Sequence, residues 1–259
     1  MLLAFDLDRT LLTEEYELPL NILDAIHKAR AKGHIVTVLT GRQYGSARPY
    51  IEQLEVDVPS STNHGARVRN PDGSELRRVL MDGAYADQLL ADYLHDTHLE
   101  FSAVMDDTLY VRDPAHERWS WVHASSRAVT HYQAGSVAEY DKVVFQTGRM
   151  ERSQEIYQLI GRTHPDVIRY LWGDGFLEVV PTGADKGSAL AYIADKLGVP
   201  RSEVVAFGDG ANDITMVDWA GTGVAVGPHA HSEVLAVADQ HIDSPEEGGV
   251  ADWIKRNLL

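Results

Sequence analysis

The residues best suited to chemistry come in four short groups. They are Asp6 and Asp8 in "DLDRT" (6–10), Thr40 in "TGR" (40–42), Lys186 in "DKG" (185–187), and Asp209, Asn212 and Asp213 in "GDGAND" (208–213). Gathered in one place they would supply four carboxylates, an ammonium, a hydroxyl and an amide. Carboxylates sharing a pocket repel each other, and some would take up protons. A hard divalent cation relieves that repulsion. Mg²⁺ suits the set because it prefers oxygen ligands in octahedral geometry and keeps some of its waters. Lys186 adds a further positive charge, so a phosphoryl group can enter an otherwise acidic pocket. Thr40 offers a hydroxyl donor, backed by the N–H groups of Gly41 and Arg42 as the chain enters its next segment.

For those groups to meet, the chain must bring distant segments to one edge, and its pattern does so. "LLAF" (2–5) is an unbroken apolar run, as a strand buried on both faces should be. Residues 19–32 read as a helix with Ile22, Ile26 and Ala29 on one face, Pro19 in the first turn and Gly33 as terminator. "HIVTVLT" (34–40) is a β-branched strand, and "SARPYIEQL" (46–54) a short helix with Pro49 in its first turn. After residue 184 the alternation resumes. "KGSALAYIADKLG" is a helix closed by Gly198 and Pro200, "EVVAFGD" a strand, "ANDITMVDWAG" a helix, "GVAV" (223–226) a strand, "SEVLAVAD" a helix, and 249–259 a last helix. Such alternation predicts an α/β, Rossmann-like parallel sheet with helices on both faces. Ligands of open parallel sheets bind outside the carboxyl ends of the strands, where all four groups fall.

The middle of the chain reads differently. "YADQLLADYL" is helix-like, "FSAVMDD", "TLYVRD" and "DKVVFQTG" are strand-like, and a helix falls near 151–161. "VIRYLWGDGFLEVV" is a hairpin, so its Gly-Asp-Gly at 173–175 is a turn and not a second acidic site. We therefore read residues 83–183 as an inserted α+β cap domain, and 1–82 with 184–259 as the core.

Composition narrows the function. Asp plus Glu exceed Lys plus Arg by 39 to 23 in 259 residues, a formal charge of -16. That surface repels phosphate backbones, which argues against nucleic-acid and anionic-membrane partners and leaves a small phosphorylated substrate. With no cysteine there are no disulfides, zinc–thiolate sites or thiol nucleophiles. The first residues lack a basic segment and meet Asp6 too early for a signal peptide, and no run approaches the ~20 apolar residues of a membrane span. A cytoplasmic protein is the expectation. The oligomeric state is left open.

The motifs "DLDRT", "TGR", "ADKG" and "GDGAND", in this order and with a cap-sized insert between the second and third, resemble the haloacid dehalogenase superfamily of phosphohydrolases. Their arrangement resembles its Cof-type branch with a type IIB cap. "FLEVVPTGADKGSAL" is similar to the run leading into that branch's third motif. "TNHGARV" (62–68) is similar to the strand-end stretch where the branch often has Asn-Gly-Ala. The resemblance implies an aspartyl-phosphate mechanism. Asp6 would be the nucleophile. Asp8 would protonate the leaving alcohol and then deprotonate water. Mg²⁺ would be held by Asp6, the Asp8 backbone carbonyl and Asp209, with Asp213 as a ligand or just behind one. Thr40, Gly41, Lys186 and Asn212 would hold the phosphoryl oxygens. Sugar phosphates are the implied substrates. The chain departs from the family at Arg9, where a Gly is usual, and at "GPHAH" (227–231), where Met-Xaa-Asn-Ala is common. Arg9 is expected to point at the cap or the substrate.

Weaker signals have plainer readings. Trp119, Trp121 and His123 alternate in "WSWVH", as on one strand face, and are expected to pack against the insert's helices rather than stack a sugar. His229 and His231 read as a solvent loop, and His64 as a structural or solvated histidine near a strand end. Tyr110, Arg112, Trp172 and Glu178 lie in the region where specificity would reside. Three other functions compete: a phosphomutase of the same fold, a phospho-acceptor receiver module, and a non-catalytic binding protein. A receiver is much shorter, has no inserted cap, and carries its acceptor after a later strand. The silent binder ranks last because every expected chemical residue is present.

Overall fold

Leu2–Phe5 forms a strand whose four residues are all fully buried. A computed structural model describes residues 1–123, 125 and 127–259. In it this strand pairs in parallel with Val204–Gly208 on one side and Ile35–Val38 on the other. Thr222–Val226 and Gln240–Ile242 extend the sheet beyond Val204–Gly208, again in parallel. The order is thus 240–242, 222–226, 204–208, 2–5, 35–38. Alternate side chains divide between two cores, as the pleat requires. Leu3, Phe5, Val205 and Phe207 join Ile22, Ile26 and Ile254, and Phe5 stacks on Phe207 at 4.6 Å. Leu2, Ala4, Val204 and Ala206 join Leu190, Ile193, Met216 and Val234 on the other face. Helices therefore cover both faces of the sheet.

The helix signals mostly act as read, although Pro19 is an extended N-cap rather than a first-turn residue. Leu20–Ala31 starts after Pro19, buries Ile22, Ala25, Ile26 and Ala29, and is followed by Gly33 at φ 88°. Lys186–Leu197 is capped by the Asp185 carboxylate, which accepts the Ser188 N–H at 2.8 Å, an arrangement worth about 1 kcal/mol. It ends on Gly198 in the left-handed region.

Contacts divide the chain into two compact units: 1–42, 47–78 and 185–259 in the first, 43–46 and 79–184 in the second. The second unit is built on a six-stranded sheet, ordered 167–172, 176–181, 142–146, 100–105, 108–111, 128–131. All its pairs are antiparallel except the last, between Thr108–Val111 and Ala128–His131. Phe101, Val143, Phe145, Leu177 and Val179 pack with Leu89, Leu90, Ile156 and Ile160, residues of the helices Gly83–Ala91 and Met150–Thr163. Trp119 and Val122 pack with Val104, Leu109, Val111 and Val144.

Several details differ from the sequence reading. The helix expected over 46–54 runs from Tyr44 to Gln53, which puts Pro49 in the second turn. The segment from Ala211 opens with a 3-10 turn, Ala211–Asp213, before the helix Ile214–Trp219. "WSWVH" is not a strand: Glu117–Trp119 is a 3-10 turn and Ser120–His123 a helical turn. Trp119 is buried, whereas the Trp121 and His123 side chains lie outside the described residues. The short strands Ser60–Thr62, Arg67–Arg69 and Glu75–Arg78 form an antiparallel sheet that periodicity does not announce. Among the described residues no helix is long and apolar enough to cross a membrane.

Candidate active site

The strand Leu2–Phe5 ends where Asp6 makes its last ladder bond, its N–H donating to the Phe207 carbonyl at 3.0 Å. The chain then turns sharply. The Leu7 carbonyl accepts the N–H groups of Thr10, Leu11 and Leu12, and Arg9 sits at φ 58°. This turn leaves Asp6 buried at the strand end while Asp8 is more open. Thr10 Oγ1 donates to Asp209 Oδ1 at 3.1 Å, tying the turn to the end of the neighbouring strand.

Arg9 stands where the resembled family usually has Gly, and the backbone there shows why Gly suits it. A left-handed residue with a Cβ is strained by ~1–2 kcal/mol, against ~0.5–1 kcal/mol of extra chain freedom lost by a Gly. Arg9→Gly is therefore expected to gain up to about 1 kcal/mol of stability, read as a higher melting temperature. A lower one would contradict this account of the turn.

Asp209 and Asp213 are fixed by a tight loop. The Asp213 Oδ2 atom accepts the backbone N–H groups of Asp209 (3.0 Å) and Gly210 (2.9 Å). Gly208 makes the loop possible, since a Cβ there would lie 2.4 Å from the Asp213 Cβ. Lys186, at the start of its helix, is fully buried. Its Nζ donates to Asp6 Oδ1 at 2.6 Å and to Asp213 Oδ1 at 2.5 Å. One ammonium thus serves a group of three carboxylates. Asp6, Asp209 and Asp213 each offer a ligand atom, and these lie within 4.8 Å of one another.

The electrostatics are those of a site short of positive charge. Burial pushes Asp6 well above the usual carboxylate range. Asp213 adds to this, and Lys186 pulls back only in part. Burial and Asp213 likewise raise Asp209 to about 7, against the lowering influence of Lys186, Thr10 and Arg9. Burial alone would lower Lys186, but Asp213 and Asp6 outweigh it and keep the ammonium charged. An all-oxygen donor set with surplus negative charge is what a hard divalent cation neutralises, so the residues present fit such an ion.

Asp8 is placed apart from that group. Arg42 grips its carboxylate as a fork, Nε lying 3.1 and 2.9 Å from its two oxygens and one terminal nitrogen 2.5 Å from Oδ1. The Arg42 N–H does not stand free beside Gly41, as the sequence suggested. It donates to Thr40 Oγ1 at 3.1 Å, which orients the hydroxyl and leaves its hydrogen to donate elsewhere.

Thr40 is buried, and its carbonyl accepts the His64 N–H at 3.0 Å. Gly41 lies against the His64 ring, where a Cβ would come within 2.3 Å of Cε1. His64 Nδ1 pairs with Asn212 Nδ2 at 3.1 Å. Asn63 and His64 are both in the left-handed region, at φ 50° and 60°, and both are buried. His64 is thus a structural partner of the Thr40–Gly41 and Asn212 segments, not a solvated side chain. Such strain in two successive residues collects at functional sites. His229 is exposed, and His231 caps the helix Ser232–Val237 by accepting the Glu233 N–H at 3.3 Å.

A strand-end Asp beside a buried Lys, two further Asp in a Gly-rich loop and a Thr-Gly turn all occupy the carboxyl edge of one parallel sheet. Residues 3–254 match the model of the haloacid dehalogenase-like hydrolases. The chain belongs to that family. This hydrolase is 29% identical over 270 residues to the 5-amino-6-(5-phospho-D-ribitylamino)uracil phosphatase YitU of Bacillus subtilis, covering 98% of this chain and 96% of that one. It is 25% identical over 269 residues to the pyridoxal phosphate phosphatase YbhA of Escherichia coli, covering 99% and 98%. Its fold matches the structure of a subclass IIB sugar phosphatase of the superfamily with a TM-score of 0.82 at 21% identity, over 98% of each chain. Its class is that of the phosphoric monoester hydrolases. Two features of the site were not legible beforehand: the Arg42 fork on Asp8 and the His64–Asn212 contact. "TGR" drew attention to Arg42 only through its backbone, and His64 carries no periodic signal.

Proposed function

We propose that this hydrolase is a Mg²⁺-dependent phosphatase of small phosphorylated metabolites, sugar phosphates foremost, working through an aspartyl-phosphate on Asp6. The observation that carries this reading is the position of Asp6. It lies buried at a strand end, bonded to Lys186 and grouped with Asp209 and Asp213. Asp6, Asp209, Asp213 and the Asp8 backbone carbonyl would hold the cation. When bound, the ion would neutralise the carboxylates and draw charge from the phosphoryl oxygens.

The chain's own residues account for the rest. Asp6 attacks phosphorus and forms a P–O bond as the bond to the alcohol breaks, with Asp8 giving its proton to the departing oxygen. Water then attacks phosphorus, Asp8 takes a proton from it, and the bond to Asp6 breaks to release phosphate. Lys186, Thr40, the Gly41 N–H and Asn212 hold the phosphoryl oxygens, where charge spreads in the transition state. The relatives named above act on phosphate esters of quite different alcohols, which fits one chemistry with varied substrate selection. Within the second unit, Arg112 is committed to the carbonyls of Leu99, Tyr93 and Asp96, and Tyr110 packs edge-on to Tyr140. Trp172 donates to Glu178 at 3.2 Å, and Glu178 is paired with Lys142 at 2.7 Å, so all four of these residues have partners within the second unit.

The test is phosphate release from an aryl phosphate and then a sugar-phosphate panel, with Mg²⁺ or with chelator. Release that needs Mg²⁺ supports the reading. A product with phosphate moved to another position, and none released, would make the chain a mutase.

The raised Asp209 also gives a pH signature. Unfolded, the group titrates near 3.8; folded and free of metal, near 7. Between those values the folded state holds the extra proton. Its contribution therefore falls as pH rises from about 4 to about 7. Mg²⁺ removes that penalty. A fixed Mg²⁺ concentration is thus expected to raise the melting temperature about 2–4 °C more at pH 8 than at pH 6. Equal shifts at both pH values would show that no carboxylate proton competes with the ion.

A further inference from the structure

Tyr16 is oddly placed for a tyrosine. It is 61% exposed, so the core does not need it, yet its backbone is held at φ 62°. A tight turn keeps it there. Thr13 N–H donates to the Glu17 carbonyl at 2.9 Å, and Tyr16 N–H to the Thr13 carbonyl at 2.9 Å. What the ring does touch is Arg42, whose guanidinium carbon lies 5.1 Å from the Tyr16 centroid. Tyr50, on the helix Tyr44–Gln53, brings a second ring to 5.0 Å from the same carbon. The two tyrosines are joined as well, for the Tyr50 hydroxyl donates to the Tyr16 carbonyl at 2.9 Å. Both rings therefore attend the guanidinium that forks onto Asp8.

A guanidinium is planar, and its donors are rigid relative to that plane. Fixing the plane with aromatic rings fixes where the fork points. The fork in turn fixes the carboxylate, taking the side that faces Arg42 and leaving outward lone pairs, since a carboxylate has about four acceptor sites. The Asp8 side chain is 38% exposed against 19% for Arg42, so packing does less to hold it than the fork does.

We propose that Tyr16 and Tyr50, acting through Arg42, are positioning residues that aim the Asp8 carboxylate for proton transfer. This rests on the phosphatase reading above. In the first half-reaction the Asp8 proton passes to the alcohol oxygen as its bond to phosphorus breaks. In the second, the attacking water gives a proton to Asp8 as its oxygen bonds to phosphorus and the bond to Asp6 breaks. Both transfers need one Asp8 oxygen within reach of the reacting oxygen, so loss of aim slows turnover without weakening binding.

The test is a double-mutant cycle on phosphate release from phenyl phosphate, whose leaving group needs a proton, with Mg²⁺ in the full chain. Tyr16→Ala is expected to lower kcat about tenfold, with KM changed less than about twofold, because small misplacement of a reacting group is costly. Tyr16→Phe keeps the ring and is expected to restore the rate. In an Asp8→Ala background, Tyr16→Ala is expected to change the residual rate less than about twofold, because its effect acts through Asp8. Equal losses in both backgrounds, a loss in KM alone, or no loss with Asp8 present would each overturn the clamp. If Asp8→Ala itself leaves the rate intact, the phosphatase mechanism fails first and the clamp with it. The exposed position of Tyr16 keeps folding out of the comparison, and an unchanged melting temperature checks that.

Discussion

Asp6→Asn is expected to lower kcat by about four orders of magnitude or more, as loss of an attacking nucleophile does. The substitution keeps the shape of the side chain and removes the charge that attacks phosphorus in the proposed mechanism. It should not unfold the protein. Burial already disfavours the ionised Asp6, and Asp213 and Asp209 repel it. A neutral amide escapes both penalties, and Lys186 keeps its second partner in Asp213. Loss of activity with an unchanged or higher melting temperature in chelator is the combined signature. A rate within tenfold of the parent would mean that another group attacks phosphorus.

Lys186→Met should act on both stability and rate. Lys186 is fully buried between Asp6 and Asp213, and its removal leaves those carboxylates without their cation. Breaking a buried pair by deleting one partner costs about 3–5 kcal/mol. For a chain of this size that lowers the melting temperature by roughly 10 °C. If the proposed cation site is right, Mg²⁺ should restore part of the loss by supplying charge to the same carboxylates. It should not restore the rate, which the proposed role of Lys186 as a donor to the phosphoryl oxygens expects to fall about 10²–10³-fold. Melting curves and phosphate release, each with Mg²⁺ and with chelator, separate the two effects. A melting temperature within about 2 °C of the parent in chelator would show that the carboxylates tolerate each other without the ammonium.

Much of the fold was legible because the central strands are short, apolar and buried on both faces. Leu2–Phe5 and Val204–Gly208 could hardly be anything else, and the acids that end them stand out for that reason. Ser60–Thr62 and Arg67–Arg69 were illegible because they are polar yet buried. "WSWVH" misled because a period of two over five residues cannot exclude a helical turn. Within the site, residue type and strand-end position pointed to Asp6, Lys186, Asp209 and Asp213, which do come together. The separation of Asp8 from that cluster was not legible, because it depends on a fork from Arg42, 34 residues away in sequence. Strain was equally hidden: nothing in "TNHG" says that Asn63 and His64 adopt left-handed backbone.

The central claim is that the phosphoryl group passes through Asp6. The most direct measurement is rapid acid quench of the enzyme turning over a phosphate-labelled substrate with Mg²⁺, followed by mapping of the labelled peptide. The account predicts a hydroxylamine-sensitive label on Asp6, formed and discharged at least as fast as kcat and absent in Asp6→Asn. Full turnover with no labelled protein at any time, or with the label on another residue, would contradict it.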